Sequence, residues 1–133
     1  MAFTNDLSNN VLSHVFQGES YTPPQRIYVA LFTSAGEVSG GGYSRQEITF
    51  GAPANGVIRN DSEVHFPLAE TDWGTITQTV LFDENDNRLD EATTNALEVR
   101  ESEKVMFPIG NYTIRLIGQE PNSKAGVRKD GEA

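Results

Sequence analysis

The spacing of apolar residues changes shortly after the chain begins. Phe3, Leu7, Val11, Leu12, Val15 and Phe16 recur at near-helical intervals and make one stripe. Thr4 or Asn5 can cap the start of this helix, and Gly18 can close it in the left-handed conformation. A helix of about 12 residues is marginal on its own in water. It is therefore predicted to dock, on a sheet of its own chain or on a neighbouring subunit. Phe3, Leu7 and Val11 are the interface candidates.

Downstream the period becomes that of strands. Thr22-Pro23-Pro24-Gln25 forces an extended turn. Arg26 to Thr33 is the clearest strand, with Ile27, Val29 and Leu31 on one face and Tyr28, Ala30 and Phe32 on the other. Both faces are apolar, which predicts a central strand covered twice, with the helix as a candidate cover. Ala35 to Ser44 reads as a flexible loop in which Gly40, Gly41 and Gly42 can take positive φ at little steric cost. Arg45 to Phe50 alternates. Val57 to Arg59 and Ser62 to Phe66 are short strand pieces broken by Asn60-Asp61, and Pro67 marks an end. Thr75 to Asp83 is a second clear strand, followed by the polar turn Asn85-Asp86-Asn87. Asn95 to Arg100, Lys104 to Phe107 and Asn111 to Ile117 complete the set, with Pro108-Ile109-Gly110-Asn111 as a hairpin turn between the last two.

The predicted fold class is all-β: a compact antiparallel β-sandwich or barrel of about eight strands, with one N-terminal helix and an extended C-terminal tail. The chain divides into a docking helix (1–20), a β-sandwich core (21–118) and a polar extension (119–133). Composition predicts disorder for that extension, where only Val127 is strongly apolar. If a neighbouring subunit held it, Val127 and Arg128 would be interface candidates. Trp73, Tyr28, Leu31 and Phe82 are the candidate core residues.

A length of 133 residues allows one domain, and the absence of cysteine excludes disulfides and thiolate metal sites. A net charge of -9 argues against nucleic acid as a partner, because phosphate binding needs a basic surface. No apolar run reaches the ~20 residues needed to span a membrane, and no signal peptide is legible. Eight acids lie between Asp83 and Glu103, offset only by Arg88 and Arg100. They read as a solvated rim, or as a contact surface for a basic partner.

Candidate chemistry is sparse. His14 and His65 lie too far apart for metal-ligand spacing. Asp83-x-Asn85-x-Asn87 resembles the opening of a calcium loop, but Arg88 stands where that loop needs glycine and Thr94 where it needs glutamate. There is no Gly-x-Ser-x-Gly elbow, and the carboxylate pairs lie in polar contexts. No catalytic residue, cofactor or metal site is expected. Trp73, the only tryptophan, reads as a plug at one end of the core, or as a platform for stacking a glycan.

Several segments, taken in order, carry a resemblance. They are Tyr21-Thr22-Pro23-Pro24 before Ile27-Tyr28-Val29-Ala30-Leu31, then Gly41-Gly42-Tyr43-Ser44-Arg45, Ile58 to Phe66-Pro67, Trp73-Gly74-Thr75-Ile76-Thr77 and Phe82-Asp83. Over nearly its whole length, to Ile117, the chain resembles a small module of tailed-bacteriophage virions, a minor structural or tail-fibre protein. Glu84 to Arg88 departs from the glycine-rich turn usual after the Phe-Asp pair. The resemblance implies a non-enzymatic component on the virion exterior, assembled in the host cytoplasm and oligomeric, with a trimer as one form. Its expected partners are copies of itself and other virion proteins of capsid, tail or baseplate. Two placements follow, a capsid decoration (cement) protein or a tail-fibre or adaptor module. The alternative is a carbohydrate- or receptor-binding sandwich using Trp73.

Overall fold

The computed structural model describes residues 3–116 and 122–130. Among the described residues one helix, α1 (Asn5–Gln17), precedes eleven strands. These are β1 (Ile27–Thr33), β2 (Gly36–Glu37), β3 (Gln46–Glu47), β4 (Val57–Arg59), β5 (Val64–His65), β6 (Gly74–Asp83), β7 (Arg88–Val99), β8 (Val105–Phe107), β9 (Tyr112–Arg115), β10 (Asn122–Ala125) and β11 (Arg128–Lys129). The large sheet runs β2-β1-β6-β7-β10-β9-β4, with β3 also on β1; the small one runs β11-β8-β5. Together they form an all-β sandwich rather than a closed barrel.

β1 and β6 pair antiparallel from Ile27↔Asp83 to Phe32↔Gln78. β6 continues into β7 as a long hairpin whose turn is held by the Asp83 carboxylate, which accepts from the backbone N–H groups of Asn85 and Asn87 at 2.8 and 2.9 Å. The sequence pattern predicts the next strand only from Asn95. Arg88 to Thr94 already belong to β7, because Leu89, Ala92 and Thr94 contribute buried side chains to the pleat.

One core lies between the sheets. Val29, Leu31, Ile76, Leu81, Ala92 and Val99 come from the large sheet, and Val64, Val105 and Phe107 from the small one. A chain of rings runs through it. Trp73 meets Tyr43 edge-on at 5.6 Å, Tyr43 stacks on Phe66 at 6.2 Å, and Phe107 links Phe66 to Tyr112. Such pairs add to area burial through quadrupole complementarity.

The other face of β1 and β6 holds a smaller patch of Ala30, Phe32, Val80 and Phe82. Its cover is not the helix. The Arg45 guanidinium lies 3.7 Å from the centre of the Phe82 ring, and Arg88 lies 5.1 Å from that of Phe32. No second strand layer exists on this side among the described residues, so Tyr28 is only half-buried and is not part of the core.

Three further expectations are corrected. The Pro108–Asn111 turn does not make a hairpin: it carries the chain from β8 in the small sheet to β9 in the large one. Buried Asn60 pins the crossing. Its side-chain amide donates to the carbonyls of Ser62 and Pro108, and its Oδ1 accepts from Tyr112 N–H.

The polar extension is not a tail over residues 122–130. β10 lies inside the large sheet, antiparallel to β9 and parallel to β7, while β11 pairs with β8. Val127 is wholly buried in the core and is no interface residue. Composition misled here because a short edge-free strand needs backbone partners more than apolar side chains. Ile117, and Gln119 to Pro121 and 131–133 of the extension, lie outside the described residues.

The glycine loop is the third correction. Gly40, Gly41 and Gly42 all have positive φ, but the loop has a fixed shape. The Gly41 carbonyl accepts from Trp73 Nε1–H at 3.0 Å and from Glu70 N–H at 2.8 Å. A side chain at Gly41 would run into Thr71 Oγ1.

Candidate functional site

α1 is capped by Thr4, whose Oγ1 accepts from Leu7 N–H, and closed by Gly18 at φ 72°. Thr4 also ties the helix start to the sheet. Its N–H donates to the Leu89 carbonyl at 3.0 Å, and its hydroxyl donates to the Arg88 carbonyl at 2.9 Å. Phe3 bridges to Asp90, and Leu7 packs against the core. Beyond this first turn the apolar stripe departs from the body. No α1 residue is buried; Leu12, Val15 and Phe16 are 54%, 62% and 79% exposed. Docking in cis thus holds only at one end. Phe3, Leu7 and Val11 are half-buried, and the free apolar surface lies one to three turns further on.

A groove of about 670 Å³ separates the helix from the hairpin end of β6 and β7. Asp6, Asn9 and Asn10 line its helix wall; Pro23, Asp83 and Glu84 line the wall opposite. The acids are already engaged in holding backbone. Glu84 Oε2 accepts from the N–H groups of Gln25 and Arg26 at 2.7 and 2.9 Å. Hydrogen bonds from Asn87 and Asn85 hold the Asp83 carboxyl below the usual range. With Asp6, these two side chains give the groove an acidic lining.

Other ionisable groups lock the structure. Arg45 grips Glu37 through Nε and Nη2, each at 2.9 Å, which lowers the Glu37 pKa, and reaches Asp86 with Nη1 at 2.9 Å. Tyr43 Oη donates to Glu37 and accepts from Leu31 N–H, filling the space between β2 and β3 along β1. Burial raises the Tyr43 pKa well above its ordinary value. Asp90, which the sequence placed in the solvated acidic rim, is 1% exposed. Its Oδ1 accepts from Ser123 Oγ–H at 2.8 Å, and burial pushes its pKa up to about 6. No period in the sequence marks it; it is simply in phase with Ala92 and Thr94 on the core face.

The structure does not bring the two histidines together. His14 Nδ1 contacts the Glu19 carbonyl, and His65 lies by Glu63 and Asp130 in the small sheet. No group of three or more His, Asp or Glu side chains among the described residues could hold a metal ion. Leu31 lies in the main core and Phe82 in the outer patch, while Arg128 is exposed on β11. Trp73 is buried with its N–H donated internally, leaving no open ring face for a sugar.

The described residues thus form a sandwich whose buried polar groups hold it together, with one amphipathic helix at its start. The chain belongs to the family described as Podophage GP4 fiber I protein gp80, whose model matches residues 2–115. It is a tail-fibre-like bacteriophage structural protein and a component of the virion. No curated protein matches it.

Proposed function

We propose that this protein is a non-enzymatic building block on the outside of the virion, serving as a fibre or adaptor module. Its rigid body fixes geometry and α1 docks it to another virion component. The observation that carries this reading is the contrast between a fully packed interior and the exposed apolar surface at Leu12, Val15 and Phe16. A monomer has little reason to leave Phe16 in water, since burying such a side chain is worth about 1.5–3 kcal/mol.

The test is imaging of purified particles with the chain located and its copies counted. Density at the tail, in a small fixed number of copies, is the expected result. Coverage of the capsid lattice would favour the decoration reading instead. Sedimentation of the isolated chain reads out the expected homo-oligomer, a trimer included. Glycan binding through Trp73 is disfavoured by its burial. A glycan-array signal lost in Trp73→Phe with folding intact would restore it.

A further inference from the structure

We infer that the distal half of α1 is a docking peg for an apolar groove rimmed by lysine and arginine on a different virion protein, not for a second copy of this chain. This rests on the reading of the protein as a virion module and adds the chemistry of its partner.

Leu12, Val15 and Phe16 stand at i, i+3 and i+4, so they share one face of the helix. Val11 continues that face toward the anchored end. This is the pattern by which a helix lays an apolar stripe into a groove. Among the described contacts only the first turn hydrogen-bonds to the sheet, and His14 to Gln17 are all exposed, so the distal half stands clear around its circumference. A partner can therefore enclose the peg from both sides.

Size and charge select the occupant. The helix has 13 residues, a length of about 20 Å at 1.5 Å per residue. Packed helix to helix against a second copy, that face falls well short of the roughly 800 Å² per partner that stable interfaces bury. An enclosing groove recruits both walls of the peg. The helix carries no lysine or arginine. Acids surround it: Asp6 on the helix, Glu19 just beyond it, and Asp83 and Glu84 across the groove. Arg88, the one base lining the groove, is turned to Glu91 at 3.4 Å. Two copies meeting here would oppose acid to acid, whereas a basic rim is complementary.

The test supplies full-length Phe16→Asp protein during particle assembly and measures its occupancy in purified virions. Ile109→Asp, on the exposed turn between the sheets, is the matched control. Circular dichroism and melting should show both variants folded, because both side chains are exposed. Phe16→Asp should lose occupancy by about tenfold or more, as for a central contact, while Ile109→Asp is retained. A photo-crosslinker at position 12 in assembled particles should capture a different virion protein with a basic groove rim. Equal occupancy of the two variants, or capture of another copy of this chain, would overturn the inference and leave the virion role standing. Absence of the unmodified chain from particles would overturn both.

Discussion

Replacing Asp90 by asparagine should make the variant gain stability relative to the parent as pH rises from mild acid to neutral. Asp90 is a buried carboxyl on the core face of β7. Its Oδ1 has the Ser123 hydroxyl, and its Oδ2 has no hydrogen-bond partner among the described residues. Burial raises its pKa from 3.8 to about 6, and the charge of Glu91 adds to the rise. The folded state therefore holds a proton that the unfolded chain releases. The stability contributed by the neutral form is fully present below the unfolded pKa near 3.8 and is lost as pH rises through about 6. At about 1.4 kcal/mol per pH unit, the penalty at neutral pH is about 3 kcal/mol. Asp90→Asn removes the charge while keeping the shape. Its amide leaves a buried donor, a cost of about 1–3 kcal/mol that does not depend on pH. The diagnostic quantity is therefore the pH dependence of the difference between the two proteins. Urea denaturation across about pH 4.5 to 8 should show the variant gaining on the parent by about 2 kcal/mol, most of it between about pH 4.5 and 6 and little above, with unchanged m-values. A difference that stays flat, or one that moves against the variant as pH rises, would refute the assignment of a neutral buried carboxyl.

Asn60→Ala removes three hydrogen bonds at the sheet crossing and should cost about 3 kcal/mol or more, read by the same denaturation. Trp73→Ala should cost about 3–5 kcal/mol, with loss of the near-ultraviolet aromatic signal. Gly41→Ala, strained at φ 58° and blocked by Thr71, should lower the melting temperature more than Gly40→Ala, which meets open space. Val127→Asp places a charge in the core and should leave the chain unfolded or aggregated in a solubility assay, an outcome foreign to a disordered tail.

The all-β class and the first helix were legible because they rest on local periodicity. Leu31 and Phe82 could be marked as apolar, but the sequence could not say that they face opposite sides of the same sheet. That depends on the pairing of β1 with β6 and on two guanidinium groups brought from Arg45 and Arg88. Nor could local pattern place Asn122 to Ala125. A four-residue strand with one buried alanine and one buried serine has almost no apolar signature. Its place is set by the open edges of β7 and β9, which offer backbone partners on both sides. Asp90 was hidden for the same reason, since its burial becomes complete only when Ser123 arrives from far along the chain.

That arrangement bears on how the module is built. The family match ends at Arg115, the last residue of β9. The strand that separates β7 from β9 therefore comes from sequence beyond the matched region. Within the matched span alone, two central strands would have edges facing a gap, with Asp90 and Thr94 turned toward it. Unpaired edges invite other chains to add a strand. In this protein the gap is closed by β10, with Ser123 on Asp90, Val127 N–H on Thr94 Oγ1, and Asn95 on the Val127 carbonyl. The gap that could have paired with other chains is thus closed from within, and among the described residues Leu12, Val15 and Phe16 on α1 are the exposed large apolar side chains that share one helix face.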